Sequence, residues 1–305
     1  MNGVVVIDKP PGKTSHDVVK DVKKVLGVKK AGHTGTLDPL ATGVLPVCIN
    51  EATKLVPFFS LDTKEYRVTM LLGVKTDTLD TEGNVISTCE PPLISLNEIE
   101  RTLHRFVGEI EQIPPRYSAV KFRGKSLYKW ARKGILVDPH PRMVEIFNID
   151  VLEVAMPYVT FMVSCSKGTY IRSLCSDVGD ILGCGACVAG LRRIRSGTFF
   201  EGTAVSIEGL DANHVIPMVD ALPDFPVIKV DNAFAERLKE GYQPEVKAFI
   251  SCHIPFVSAG DVVKLVDERR CLVAIAKMLY ASDQFAELDG KKQAMKILRV
   301  FHREP

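Results

Sequence analysis

Apolar positions along the chain follow two rhythms. Val4-Val5-Val6-Ile7 is a short unbroken apolar run of the kind a strand carries, and beyond it Val18, Val19, Val22, Val25 and Leu26 recur at helical spacing as one stripe. Ser15 is placed to cap that helix and Gly27 to close it. A second helix is signalled by a capping box from Ser95 to Glu98, with Ile99, Leu103 and Phe106 on its buried face and Gly108 just beyond. Strand-like runs recur at 66–72, 144–149, 159–165 and 187–194. Strands and helices mixed without a regular βαβ rhythm predict an α+β fold, a sheet with helices packed on it, not a doubly wound one.

The texture changes near the end of the chain. Leu222-Pro223-Asp224-Phe225-Pro226 is the best linker, because two prolines around an acid favour an extended, non-helical connection. It divides a large unit, 1–225, from a small one, 226–305. In the latter, short strands are expected at 227–230, 262–266, 272–276 and 295–301, with the polar turn Asp267-Glu268-Arg269-Arg270 between the second and third. That pattern predicts a small, mostly β unit of the barrel or sandwich kind. No internal repeat or low-complexity tract is visible.

Composition excludes more than it selects. With 305 residues, 46% hydrophobic and 25% charged, the chain can bury a sizeable core and lies near the average for globular proteins. No apolar run is long enough to span a membrane, and the one at Val4 is too short for an export signal, so a cytoplasmic protein is expected. The eight cysteines then read as free thiols. Cys184 and Cys187 have CxxC spacing, but a lone pair supplies half a zinc site, and no metal is expected. Cys252, His253 and Cys271 read as packing or surface residues.

The formal charge of +2 is too small to announce a nucleic-acid partner, so its distribution decides. Between Glu111 and Asp138 no acid occurs, while Arg116, Lys121, Arg123, Lys125, Lys129, Arg132 and Lys133 do. Tyr117, Phe122, Tyr128 and Trp130 are interleaved with them. Charge alone fits a solvated face equally well; the aromatics favour a surface that contacts phosphates and stacks on bases.

The segment from Gly32 to Gly43, Gly-His-Thr-Gly-Thr-Leu-Asp-Pro-Leu-Ala-Thr-Gly, is the most informative. Its glycines allow tight turns or a close ligand, and Pro39 biases Asp38 away from the helical region. A phosphate-cradling P-loop is excluded, because no Gly-Lys-Ser/Thr closes the loop into a helix. Taken alone, Asp38 would more often be a turn-former than a catalyst. The segment, however, resembles the signature loop of the TruB family of tRNA pseudouridine synthases, whose Gly-Thr-Leu-Asp aspartate is the catalytic carboxylate. Further stretches resemble the same family in order: Lys9 to Ser15, Lys64-Glu65-Tyr66, Leu72-Gly73, Thr76 to Asp80, Pro114 to Lys121, Gly168 to Leu174, and Leu191-Arg192-Arg193 before Gly197 and Phe199.

The resemblance implies a pseudouridine synthase fold with a mainly antiparallel central sheet and flanking helices, and a C-terminal PUA-like β-barrel. It implies isomerisation of a uridine, that at position 55 in the T arm of tRNA, with no cofactor. Asp38 would be the nucleophile, attacking either ribose C1′ or base C6. Arg172 would orient it and lower its pKa, leaving it ionised at neutral pH. Tyr66 would lie against the base and take part in proton transfer, Tyr170 and Leu191 would complete the pocket wall, and Lys9 and Asp80 would give support from behind. The uridine must be flipped out of its loop, and the resemblance assigns His33 to the opened site. The basic interval, with Lys20, Lys23, Lys24, Lys29 and Lys30, would hold phosphates, making binding steeply salt-dependent. Partners other than tRNA are not expected, and the chain should act as a monomer. The RNA-guided relatives of this family have a similar loop, but the material between Thr81 and Phe147 and the lack of a lysine-rich terminal extension are expected of the stand-alone branch.

Overall fold

The computed structural model describes residues 1–59, 63–91, 93–135, 137–249 and 254–302. Cys252 and His253 lie outside them. The apolar N-terminal run forms β1 (Gly3–Lys9), which pairs antiparallel with β3 (Thr42–Ile49); β3 also carries the short β2 (Ala31–His33). Then come β4 (Lys64–Leu72), a hairpin of β5 (Val74–Thr76) and β6 (Val85–Thr88), and β7 (Gly108–Gln112). A second hairpin, β8 (Lys121–Phe122) and β9 (Lys125–Ser126), precedes β10 (Arg142–Ala155), β11 (Tyr158–Cys165), β12 (Ala186–Ser196), β13 (Phe199–Phe200) and β14 (Ile216–Pro217).

The main sheet has ten strands in the order β14-β1-β3-β12-β4-β11-β10-β7, with β13 added to β12 and β2 to β3. All its pairs are antiparallel except β3 with β12, so the mixed, mainly antiparallel sheet is as expected. Among the described residues six helices accompany the strands: α1 (Ser15–Leu26), α2 (Val56–Phe59), α3 (Leu96–His104), α4 (Leu127–Ala131), α5 (Ile171–Ile181) and α6 (Asn232–Lys239). Val18, Val19 and Val22 bury the α1 stripe against the sheet core, but Val25, in the last turn, is 45% exposed.

The cap of α1 is Thr14, one residue before the expected Ser15: the Thr14 hydroxyl accepts from the Asp17 N–H and the Asp17 carboxylate returns to the Thr14 N–H. Ser15 is otherwise engaged, since its buried hydroxyl accepts from the Leu37 N–H and donates to the Leu37 carbonyl. In α3, Ser95 accepts from the Glu98 N–H as expected; Phe106 lies past the helix end, partly buried on the core.

A second sheet has the order β15 (Val227–Lys229), β16 (Val262–Val266), β17 (Leu272–Met278) and β18 (Met295–Val300), with β15 parallel to β16. The junction before it differs from the expected extended linker. It runs in turns, because Ala221 and Leu222 are buried in an apolar cluster in which Val4, Val44, Phe59 and Phe199 meet Leu272, Ile275 and Phe301. Lys264 of β16 donates to the Val219 and Leu222 carbonyls at 2.9 and 2.6 Å, fixing the turn.

The seven described cysteines are unpaired, with Cys271 exposed and Cys184 and Cys187 buried. Burial pushes the Cys187 thiol up to about 11. Among the described residues no helix is long and apolar enough to cross a membrane, and no group of three or more His, Cys, Asp and Glu is placed to hold a metal.

Candidate active site

A single cross-strand row organises the site. Lys9 of β1 stands opposite Gly43 of β3, Gly43 opposite Arg193 of β12, and Arg193 opposite Tyr66 of β4. Gly43 has φ +95°, and a Cβ there would overlap the Arg193 carbonyl oxygen, so only glycine lets β3 lie alongside β12. The loop of residues 34–41 enters β3 at this point, which brings Asp38 to the row.

That loop is tied down through its backbone. Ser15 holds both polar groups of Leu37, and the fully buried Lys9 ammonium donates to the Pro39 and Ala41 carbonyls at 3.1 and 2.6 Å, as well as to Pro10. Arg193, also fully buried, donates to Val44 at 2.7 Å and to Gly35 at 3.2 Å, and its charge bears on the Tyr66 hydroxyl across the strand pair.

Arg172 approaches from the first turn of α5. Tyr170, the N-cap, is clamped by the Gln112 side chain, which accepts from its N–H at 2.7 Å and donates to its carbonyl at 3.0 Å. The Arg172 guanidinium donates to Asp38 Oδ1 at 3.2 Å; its Nε lies 2.9 Å from Oδ2, an ionic contact too bent to count as a hydrogen bond. It also donates to the Thr78 and Tyr117 carbonyls at 2.7 and 2.8 Å and lies 3.5 Å from Asp80. Asp80 is in turn held by the Thr78 hydroxyl at 2.6 Å. Arg172 thus joins Asp38, the β5–β6 turn and the start of the basic segment.

Burial is the largest influence on Asp38 and raises its carboxyl pKa above the ordinary 3.8; Arg172 opposes it, Asp80 adds to it and Lys9 opposes it weakly. The expected lowering by Arg172 is therefore outweighed by desolvation. Burial likewise raises Tyr66 and Tyr170, so both stay phenols at neutral pH, and lowers Lys9 to about 8.

Asp38 opens onto a cleft of about 760 Å³ lined also by Tyr66, Tyr170, Arg172 and Leu191. Five sequence-predicted residues therefore meet in one cavity of ligand-binding size. Lys9, Asp80 and His33 are not in its lining. Lys9 lies under the loop and Asp80 behind Arg172. His33 ends β2 with its Nδ1 shut off from solvent and unpaired, and burial, with the charges of Arg193 and His16, holds its pKa below 6.5.

Of the basic segment, Arg116 is ion-paired with Asp138 at 2.7 Å, whereas Lys121, Arg123, Lys125, Lys129 and Arg132 are exposed. Three of these stand over the segment's own rings, Arg123 on Phe122, Lys125 on Trp130 and Arg132 on Tyr128. The sequence assigned no role to Gln112, Lys64, Arg142 or Arg193, the last three of which line the cleft. For Arg193 a signal existed: it alternates with Leu191 along a strand, so both face the same way.

The profile of the TruB family pseudouridylate synthase N-terminal domain matches residues 23–171, and that of the tRNA pseudouridylate synthase B C-terminal domain matches residues 172–218. A tRNA pseudouridine synthase B of Syntrophus aciditrophicus is 52% identical over 99% of both chains, and one of Clostridium tetani is 41% identical over 98% of this chain and 99% of its own. Among solved structures, a Cbf5-Nop10-Gar1 complex contains a chain 32% identical, with TM-score 0.73, over 98% of this chain and 85% of that one. An H/ACA RNP bound to a substrate RNA containing 2′-deoxyuridine contains one 30% identical, also at 0.73, over 99% and 85%. Matched by both family profiles and 52% identical to a tRNA pseudouridine synthase B over 99% of both chains, the chain belongs to the TruB family of pseudouridylate synthases.

Proposed function

We propose that this chain isomerises the uridine at position 55 in the T arm of tRNA, acting alone on a nucleotide flipped into the cleft, with Asp38 as nucleophile. The observation that carries the reading is the Arg172–Asp38 pair at the wall of a nucleotide-sized cleft, with Tyr66 in the same lining. The cleft holds one carboxylate against five cationic side chains, Lys64, Arg142, Lys167, Arg172 and Arg193, a field suited to a polyanion. The reaction breaks the C1′–N1 bond, forms C1′–C5, removes the C5 proton and protonates N1, so it calls for a nucleophile and a proton carrier, without redox change. Asp38, desolvated and oriented by Arg172, suits the first role at either C1′ or C6. Tyr66 suits the second: burial keeps its hydroxyl protonated at neutral pH, and it lines the cleft together with Asp38. His33 would meet the RNA after flipping, residues 226–305 would form a second, PUA-like RNA-contacting unit, and the cytoplasm is the compartment that holds the substrate.

Incubation with tRNA, cyanoethylation and fragment mass spectrometry should find one pseudouridine, in the T loop. Asp38→Asn should give none while still binding tRNA; turnover comparable to the unaltered chain would end the assignment. The likeness to chains from RNA-guided assemblies favours a second reading, in which a guide RNA presents the uridine. Conversion of a synthetic T-arm hairpin by the purified chain, with no guide added, separates the two. A third possibility, a folding assistant for tRNA, predicts equal refolding by the unaltered chain and Asp38→Asn.

A further inference from the structure

The cleft's other charged wall has no role in the chemistry above. Arg142 is the first residue of β10, paired across the sheet edge with Gln112, the residue that clamps Tyr170. It lines the cleft and is half-buried, yet its guanidinium neither hydrogen-bonds nor ion-pairs with any described residue, and its Nε is shut off from solvent without an acceptor. The two other cleft arginines are committed, Arg172 to two carboxylates and two carbonyls, and Arg193 to two carbonyls. A buried charged donor without an acceptor is destabilising, and a fold keeps one where a ligand completes it.

We propose that Arg142 is a binding residue for the phosphodiester flanking the flipped uridine. The inference rests on the proposed function, because it is flipping that carries a backbone phosphate to the cleft wall. The cleft's carboxylate is already engaged by Arg172, so Arg142's acceptor must come from outside the protein. A guanidinium fork matches two oxygens of one phosphate, whereas a uracil carbonyl or a ribose hydroxyl offers a single neutral acceptor. Arg142 also stands near enough to the Tyr170 phenol for its charge to be felt there, so the phosphate would lie beside the pocket wall.

The test uses full-length chains in the Asp38→Asn background, so that binding is read without turnover. Three T-arm hairpins are compared: one all-phosphate, one with a neutral methylphosphonate on the 5′ side of the target uridine, and one with it on the 3′ side. Arg142→Gln is expected to weaken binding of the all-phosphate hairpin about tenfold and to reduce the salt slope by about one. One methylphosphonate hairpin should bind both chains alike, and Arg142→Lys should recover part of the loss. Equal weakening of all three hairpins by Arg142→Gln, or weakening of none, would overturn the proposal. If Arg142→Gln unfolds, Arg142→Lys carries the comparison, since it keeps the charge but loses the fork. Failure of the unaltered chain to convert the all-phosphate hairpin would instead count against the proposed function.

Discussion

At the Asp38 carboxyl, burial and the Arg172 guanidinium pull in opposite directions, and burial prevails. A carboxyl whose folded pKa is raised binds more protons folded than unfolded between 3.8 and its folded value, so it lowers stability as pH rises through that window. Two outcomes follow. The acid limb of the single-turnover rate on a T-arm hairpin should have its midpoint above 3.8, since a protonated Asp38 cannot attack; a midpoint at or below that value would contradict the burial argument. Asp38→Asn should unfold at neutral pH no earlier than the unaltered chain in urea, the usual result when a desolvated charge is removed. Lys9 is the opposite case. It too is desolvated, but its ammonium serves the Pro10, Pro39 and Ala41 carbonyls, and Lys9→Met would leave the buried Ala41 carbonyl without that donor, while Pro39 keeps the Gly12 N–H. The expected loss is about 1–3 kcal/mol, read as a lower urea midpoint; an unchanged midpoint would mean that water replaces the ammonium.

Elements meet the proposed chemistry at the junction of β3 and β12, where the pairing turns parallel. Gly43→Ala should strain the backbone by about 1–3 kcal/mol and push β12 away, displacing both the Asp38 loop and Arg193. Turnover should fall with stability, and circular dichroism melts beside rate measurements would show whether they move together; full activity with an unchanged melt would refute the close approach. The contrast between α1 and α5 explains what sequence could convey. In α1 a buried stripe of valines alternates with lysines, so apolar character marks the buried face; in α5 the buried positions include the polar Arg172 and Ser173 beside Ile171, Leu174, Cys175 and Val178, so apolar character marks only part of it. The strands of the main sheet were legible as apolar runs, but their register was not, because Gly43, Arg193 and Tyr66 become neighbours only through long-range pairing. Asp38, Tyr66 and Arg172 were legible through the family's motifs, not through any local pattern. Arg193 and Lys9 owe their roles to backbone carbonyls, which leave no mark in a sequence.

Across the whole molecule, the catalytic sheet and the second sheet share one apolar cluster. Val4, Val44, Phe59 and Phe199 on one side pack with Leu272, Ile275 and Phe301 on the other, and all are buried. Lys264 adds two hydrogen bonds to the junction, and Lys54 reaches across to the Val300 carbonyl at 3.0 Å. A surface of that character is not a flexible tether, and ending the chain after Phe225 would open Phe59 and Phe199 to water. At about 25 cal/mol per Å² of apolar area newly exposed, even a few hundred Å² would cost several kcal/mol, comparable with the net stability of a domain. The truncated chain is therefore expected to melt earlier and to self-associate, seen by size-exclusion chromatography beside thermal unfolding. A monomeric fragment with an unaltered melting temperature would show that the cluster contributes little, and would leave RNA contact as the reason for the second sheet. The two explanations separate further in the binding assay: if the second sheet acts only by covering the first, hairpin affinity should fall no more than the folded fraction does, whereas a direct contact would lower affinity in molecules that remain folded.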